Sequence, residues 1–92
     1  MNLSIDIQNQ IRKFAKDCFL DKVILFGSRA RGTNTERSDI DLAVSGGDAL
    51  NFYYDLKETA HTLLMFDIVD LNKGISEKLK SNIERDGVII YG

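Results

Sequence analysis

Leu25 to Val44 reads LFGSRARGTNTERSDIDLAV, and the two ends of this stretch decide the fold. At its start, Val23-Ile24-Leu25-Phe26 is a β-branched and aromatic run that predicts a strand ending abruptly at Gly27-Ser28. Glycine has no Cβ, so the chain can turn sharply there and come close to an anion, and Ser28 adds a hydroxyl where a short helix can begin. The first N–H groups of such a turn have no partner within it and face outward. A Gly-Ser pair alone is an ordinary strand-to-helix turn. The other end of the stretch changes its meaning, because twelve residues past Gly27 the segment Asp39-Ile40-Asp41-Leu42-Ala43-Val44 opens a second strand. Alternate side chains of a strand share a face, so Asp39 and Asp41 point together, with Cα atoms roughly 6.6 Å apart at ~3.3 Å per residue. Two carboxylates that close repel each other and hold their protons, a conflict that a divalent cation removes. For the turn and the acids to meet at one end of a sheet, the two strands must run antiparallel.

Working outward, Ile7, Ile11, Phe14, Ala15 and Cys18 recur at helical spacing and predict an amphipathic helix from Ile5 to Asp17. After Ser45-Gly46-Gly47, the positions Ala49, Tyr53, Leu56, Ala60 and Leu63 predict a second long helix leading into the apolar run around Asp67. Gly74 separates that run from a last helix with Ser76 as N-cap and Ile75, Leu79 and Ile83 as its buried stripe. Gly87 ends it as a C-terminal glycine, and Val88-Ile89-Ile90-Tyr91 closes the chain as an edge strand. The order predicts an α/β (α+β) fold, a small mixed sheet flanked by helices, as a single domain over residues 1–92.

Composition narrows the function. Twelve basic against fourteen acidic residues leave a net charge of -2, without the basic surplus that gripping a long polynucleotide needs. No apolar run is long enough to span a membrane and no charged-then-apolar leader opens the chain, which points to a cytoplasmic protein. The single Cys18 excludes an internal disulfide and reads as a small core residue. A chain of 92 residues builds one modest core, so the wall that would grip a substrate must come from a partner chain or a self-associated copy. His61 reads as a surface or helix-end residue, and Tyr53 and Tyr54 as packing aromatics.

These motifs resemble the DNA polymerase β-like nucleotidyltransferase superfamily, and most closely its minimal nucleotidyltransferases. In those proteins the turn reads Gly-Ser-Arg-Ala-Arg-Gly, as Gly27 to Gly32 do, and the acids read Ser-Asp-Ile-Asp-Leu, as Ser38 to Leu42 do. The resemblance implies a third carboxylate on a later strand. Asp67 fits, because turning it towards the metals leaves Phe66 and Ile68 to pack on the sheet's other face, whereas Asp70 lies near the strand's end. It further implies Mg2+ held by Asp39, Asp41 and Asp67, with ATP bound at Gly27, Ser28 and Arg29. Of Arg29 and Arg31, about 200° apart on a helix, at most one would face the nucleotide. Arg37 reads as a solvated loop charge. The implied activity is transfer of AMP to an acceptor hydroxyl, with Asp67 as metal ligand and as base or orienter for the acceptor. Such proteins pair with a helical HEPN-type protein as its antitoxin and adenylylate it. The alternative is a module that neutralises such a partner by contact alone. Three mutually repelling acids favour catalysis, since binding alone gives no reason to gather them.

Overall fold

The computed structural model describes residues 1–60 and 62–92. His61 therefore lies outside the described residues.

Ser4 caps the first helix, α1 (Ile5–Asp17), its hydroxyl accepting from the Ile7 amide at 3.3 Å. Ile7, Ile11 and Ala15 follow one another at four-residue spacing and are buried as one stripe, with Cys18 just past the helix end. β1 (Leu20–Phe26) and β2 (Ile40–Gly46) then pair antiparallel, as the motif geometry demanded. Between them stand a five-residue helix, α2 (Gly27–Arg31), and the loop from Gly32 to Asp39. β2 starts at Ile40, so Asp39 is the last residue before the strand rather than part of it.

α3 (Ala49–Thr59) carries the chain across to β3 (Phe66–Asp70), which lies parallel to β2. α4 (Glu77–Asp86) leads into β4 (Val88–Tyr91), which pairs antiparallel with the far side of β1. The strand order is β3-β2-β1-β4, so β4 is at an edge as predicted and β3 forms the other edge.

The sheet has two unequal faces. On one, Val23, Leu25, Ile40, Leu42, Val44, Phe66 and Ile68 pack under α1 and α3 in the main core. On the other, Phe26, Ala43 and Val69 meet Ile83, Leu79 and Ile75 of α4 and its approach. Alternation along each strand produces this division, and burial of both faces is why the middle strands read as nearly continuous apolar runs.

The second helix departs from its predicted length. α3 ends at Thr59, Ala60 is already extended (φ -62, ψ 139), and Leu63 projects fully into solvent. The buried positions are Phe52 and Leu56, flanked by Ala49 and Ala60. Tyr53 and Tyr54 therefore stand outside the core, half-buried and exposed, with ring centroids 5.5 Å apart. Gly87 does end α4, but with φ -64 rather than a left-handed turn. A Cβ there would strike the Ile83 carbonyl and the Ile24 side chain, so close approach, not backbone freedom, requires glycine.

Candidate active site

The last residue of β1, Phe26, lies opposite Asp41, and Asp41 lies beside Asp67 on the parallel neighbour. Residues paired across adjacent strands share a face, with strands about 4.8 Å apart. Asp41 and Asp67 thus stand side by side on the α4 face of the sheet, beyond the ground that α4 covers. Phe66 and Ile68 go to the opposite core, as the choice of Asp67 over Asp70 required. Asp70 is otherwise engaged: its Oδ1 accepts from the Asn72 amide and side chain, both at 2.9 Å, in the turn after β3.

Gly27 opens α2 with φ +73, a conformation that side chains disfavour. A Cβ at this position would run into Oδ2 of Asp41. The glycine thus lets the turn lie directly against the second acid, joining the two ends of the sequence motif. No side chain caps the start of α2. Among the described residues the half-buried Ser28 hydroxyl has no protein partner, and the Ser28 carbonyl closes the turn by accepting from Thr33 N at 3.0 Å.

Asp41 has its pKa raised above the usual carboxylate value, first by burial and then by the charges of Asp67 and Asp39, while Arg31 opposes the rise. All three acids therefore bear on one point in the fold. Asp39 and Asp67 are exposed, and among the described residues no three acidic, histidine or cysteine side chains are drawn into a closed metal cage. The donor set nonetheless suits a hard divalent ion: it offers carboxylate oxygens only, and a cation would remove the conflict that raises the Asp41 pKa.

The two arginines of α2 diverge, as their angular separation implied, but Arg29 does not face the nucleotide side. Arg29 is 6% exposed, and its guanidinium donates to the carbonyls of Ser38 (3.0 Å), Asn2 (3.2 Å), Glu36 (3.1 Å) and Thr35 (3.5 Å). These bonds commit its donors to the loop and the N-terminal segment, so Arg29 shapes the approach to Asp39 instead of binding phosphate. Its five-donor planar head suits several carbonyls at once, a demand that sequence spacing does not reveal. Arg31 is the exposed member. Its Nη1 meets Asp86 Oδ2 at 3.1 Å, and its charge reaches Asp41. Asp86 also binds Arg85 at 2.9 Å, and this pairing, with Arg31, lowers its pKa to about 2. Asp86 was not singled out from the sequence, because only the tertiary approach of α4 to α2 gives it a role. Arg37 is exposed, in keeping with a loop charge.

Comparison with known proteins agrees with this geometry. Residues 9–92 match the family model described as polymerase beta, nucleotidyltransferase. A protein of Methanocaldococcus jannaschii named as a candidate protein adenylyltransferase is 33% identical over 81 residues, covering 78% of this chain and 79% of that protein. A crystal structure of a toxin-antitoxin with AMP-PNP superposes with a TM-score of 0.75 at 30% identity, over 92% of this chain and 73% of the other. The toxin-antitoxin MntA-HpeT, solved as a double Asp-to-Glu mutant, superposes with a TM-score of 0.72 at 31% identity, over the same 92% and 73%. The turn, the paired acids and these similarities lead to one conclusion: the chain belongs to the polymerase beta nucleotidyltransferase family and is a nucleotidyltransferase.

Proposed function

We propose that this chain moves AMP from ATP, with Mg2+, onto a hydroxyl of a partner protein, and that it acts as the antitoxin of a pair with a HEPN-type helical protein. The observation that carries the reading is the register that sets Asp67 beside Asp41, with Gly27 lying against the same Asp41 carboxylate. The AMP-PNP of one similar structure supports an adenine nucleotide, and the name of the archaeal relative supports a protein acceptor. The toxin-antitoxin context of the similar structures supports the pairing.

Asp39, Asp41 and Asp67 would hold the cation, which when bound supplies neutralising charge and Lewis acidity at the triphosphate oxygens. The Ser28 hydroxyl and the open N–H groups at the start of α2 grip the terminal phosphates. Arg29 keeps the Gly32–Asp39 loop in place, so that Asp39 starts from a fixed carbonyl at Ser38. Arg31 sets positive charge where pyrophosphate departs. Asp67 orients the acceptor hydroxyl and takes its proton as the acceptor oxygen bonds to the α-phosphorus. The bond from that phosphorus to the bridging β-oxygen breaks, and pyrophosphate leaves with the electron pair.

The test incubates the full chain with labelled ATP, Mg2+ and the product of the adjacent open reading frame. Label on that product, lost in Asp41→Ala, is the expected result. A complex that forms without label from the parent chain overturns transfer and leaves a contact-only module.

A further inference from the structure

β3 is an edge strand, and its backbone is polarised. Ile40 N donates to Met65 O at 2.9 Å and Leu71 N donates to Val44 O at 2.7 Å, so residues 65 and 71 face β2. By the two-residue period of a strand, Asp67 and Val69 also turn their backbone groups to β2, and Phe66, Ile68 and Asp70 turn theirs to the open edge. That edge borders a cavity of about 370 Å³ between α3 and β3, lined by Leu50, Tyr53, Phe66, Ile68, Asp70 and Lys73, and also by Asp67 itself. Leu50, two-thirds exposed, overhangs it.

Resting on the transfer reading above, we infer that the acceptor is presented as an extended peptide segment that adds as a fifth strand to the free edge of β3. Three observations converge on a polypeptide as the occupant. Among the described residues Phe66, Ile68 and the Asp70 N–H have no backbone partner on this side, the Asp70 carbonyl alone being taken, by Lys73 N at 3.2 Å, and such a row is complementary to another backbone and to little else. The edge continues directly into the candidate active site through Asp67. The two sheet faces at this edge also ask for opposite side chains. A residue added beside Asp67 places its side chain on the Asp67 face, at the strand spacing of about 4.8 Å, where a hydroxyl can reach the carboxylate. Its neighbours on either side point to the other face, into the cavity under Leu50 and Tyr53. The recognised sequence is therefore a hydroxyl residue flanked on both sides by apolar residues in extended conformation. Transfer to it follows the balance already given: the hydroxyl proton passes to Asp67, oxygen bonds to the α-phosphorus, and pyrophosphate departs.

The probes are capped peptides in which valines flank a central tyrosine, threonine or serine, with lysines at both ends for solubility. Two backbone-methylated versions carry N-methyl groups on alternate amides, one set per edge. With the full-length protein, saturating unmethylated peptide slows hydrogen exchange at the Phe66, Ile68 and Asp70 amides at least tenfold and leaves Asp67 and Val69 unchanged. Methylation of one edge abolishes the effect and methylation of the other does not. Leu50→Glu raises the peptide KM at least tenfold while direct titration shows unaltered ATP binding. Slowed exchange without labelling of the peptide leaves the docking edge standing and removes the transfer reading. Labelling without slowed exchange, equal tolerance of methylation on both edges, or no slowing at all overturns the docking edge.

Discussion

Asp41 carries a conflict of charge within the site, since burial and two neighbouring acids all oppose its ionisation. Its folded pKa lies above that of the unfolded chain, so ionised Asp41 weakens the fold at neutral pH, and protonation relieves the cost as pH falls through the raised value. Asp41→Asn is therefore expected to melt at the same temperature as the parent or higher, while transfer falls at least 100-fold, on the scale of losing about 2.7 kcal/mol or more of transition-state stabilisation. Thermal melts alongside label transfer check both halves, and a lowered melting temperature would refute the account of strain. The same sign gives the pH dependence of the metal-free chain: its affinity for Mg2+ starts to fall on the acid side at a pH above the ordinary aspartate range, because proton and cation compete for Asp41, and titration of Mg2+ at successive pH values checks it. Arg29 presents the opposite case, a charge whose partners all belong to the fold. Arg29→Ala strands carbonyls of Asn2, Glu36 and Ser38 that now receive charged donors. A loss of about 2 to 4 kcal/mol in urea unfolding is expected. Arg29→Lys recovers only part of it, since one ammonium cannot span acceptors arrayed around a planar fork.

At the scale of elements, α2 is too short to stand alone and takes its position from its surroundings. Gly27 fits it against Asp41, Arg29 fastens it to the loop, and Arg31 ties it to Asp86 at the end of α4. The folded pKa of Asp86, about 2, lies below the unfolded value of ~3.9, so its contribution is complete above the unfolded pKa and fades as pH falls towards 2. The difference in stability between the parent and Asp86→Asn should accordingly be constant near neutrality and shrink through that acid window. Urea titrations at successive pH values would show it, and a difference persisting below pH 2 would contradict the linkage. Elements whose signals are local were legible in the sequence. Ser76 caps the helix it was expected to cap, α1 spans the predicted Ile5–Asp17, and the antiparallel pairing of β1 with β2 followed from where the motifs had to meet. The misread parts depend on packing between distant segments. Leu63 continued a helical period that the chain abandons at Thr59, where approach to β3 begins. Arg29 looked like a phosphate ligand because nothing local shows that Asn2 and the 35–38 turn close around it. Within the site, the acids could be named from alternation and spacing, but the joint of Gly27 with Asp41 required the fold.

For the molecule as a whole, the site exists because the sheet is covered unevenly. α1 and α3 close one face over the main core, while α4 and its approach cover the other face over Ile24, Phe26, Ala43 and Val69 and leave Asp67 exposed. What remains open is the corner bounded by α2, the start of β2 and the edge of β3, where the acids gather beside the turn. Most of the stability therefore resides in layers that the chemistry does not touch, and the site can carry repelling charges without unfolding the sheet. The arrangement also couples ligand to fold. A divalent ion binds the native state and finds no assembled carboxylates in the unfolded chain, so it stabilises by RT ln(1 + [L]/Kd), about 2.7 kcal/mol at 100 times Kd. For a chain of this size that is on the order of 10 °C in melting temperature. Melting the parent in rising Mg2+, with and without a non-hydrolysable ATP analogue, should give a saturable increase that is larger with the analogue, since the triphosphate adds ligands and the start of α2 adds donors. Asp41→Asn should begin at or above the parent without ligand and respond far less to Mg2+, so the two curves cross as the ion is added. Parallel curves would mean that the ion binds elsewhere, and the open corner of the sheet would lose its claim to the chemistry.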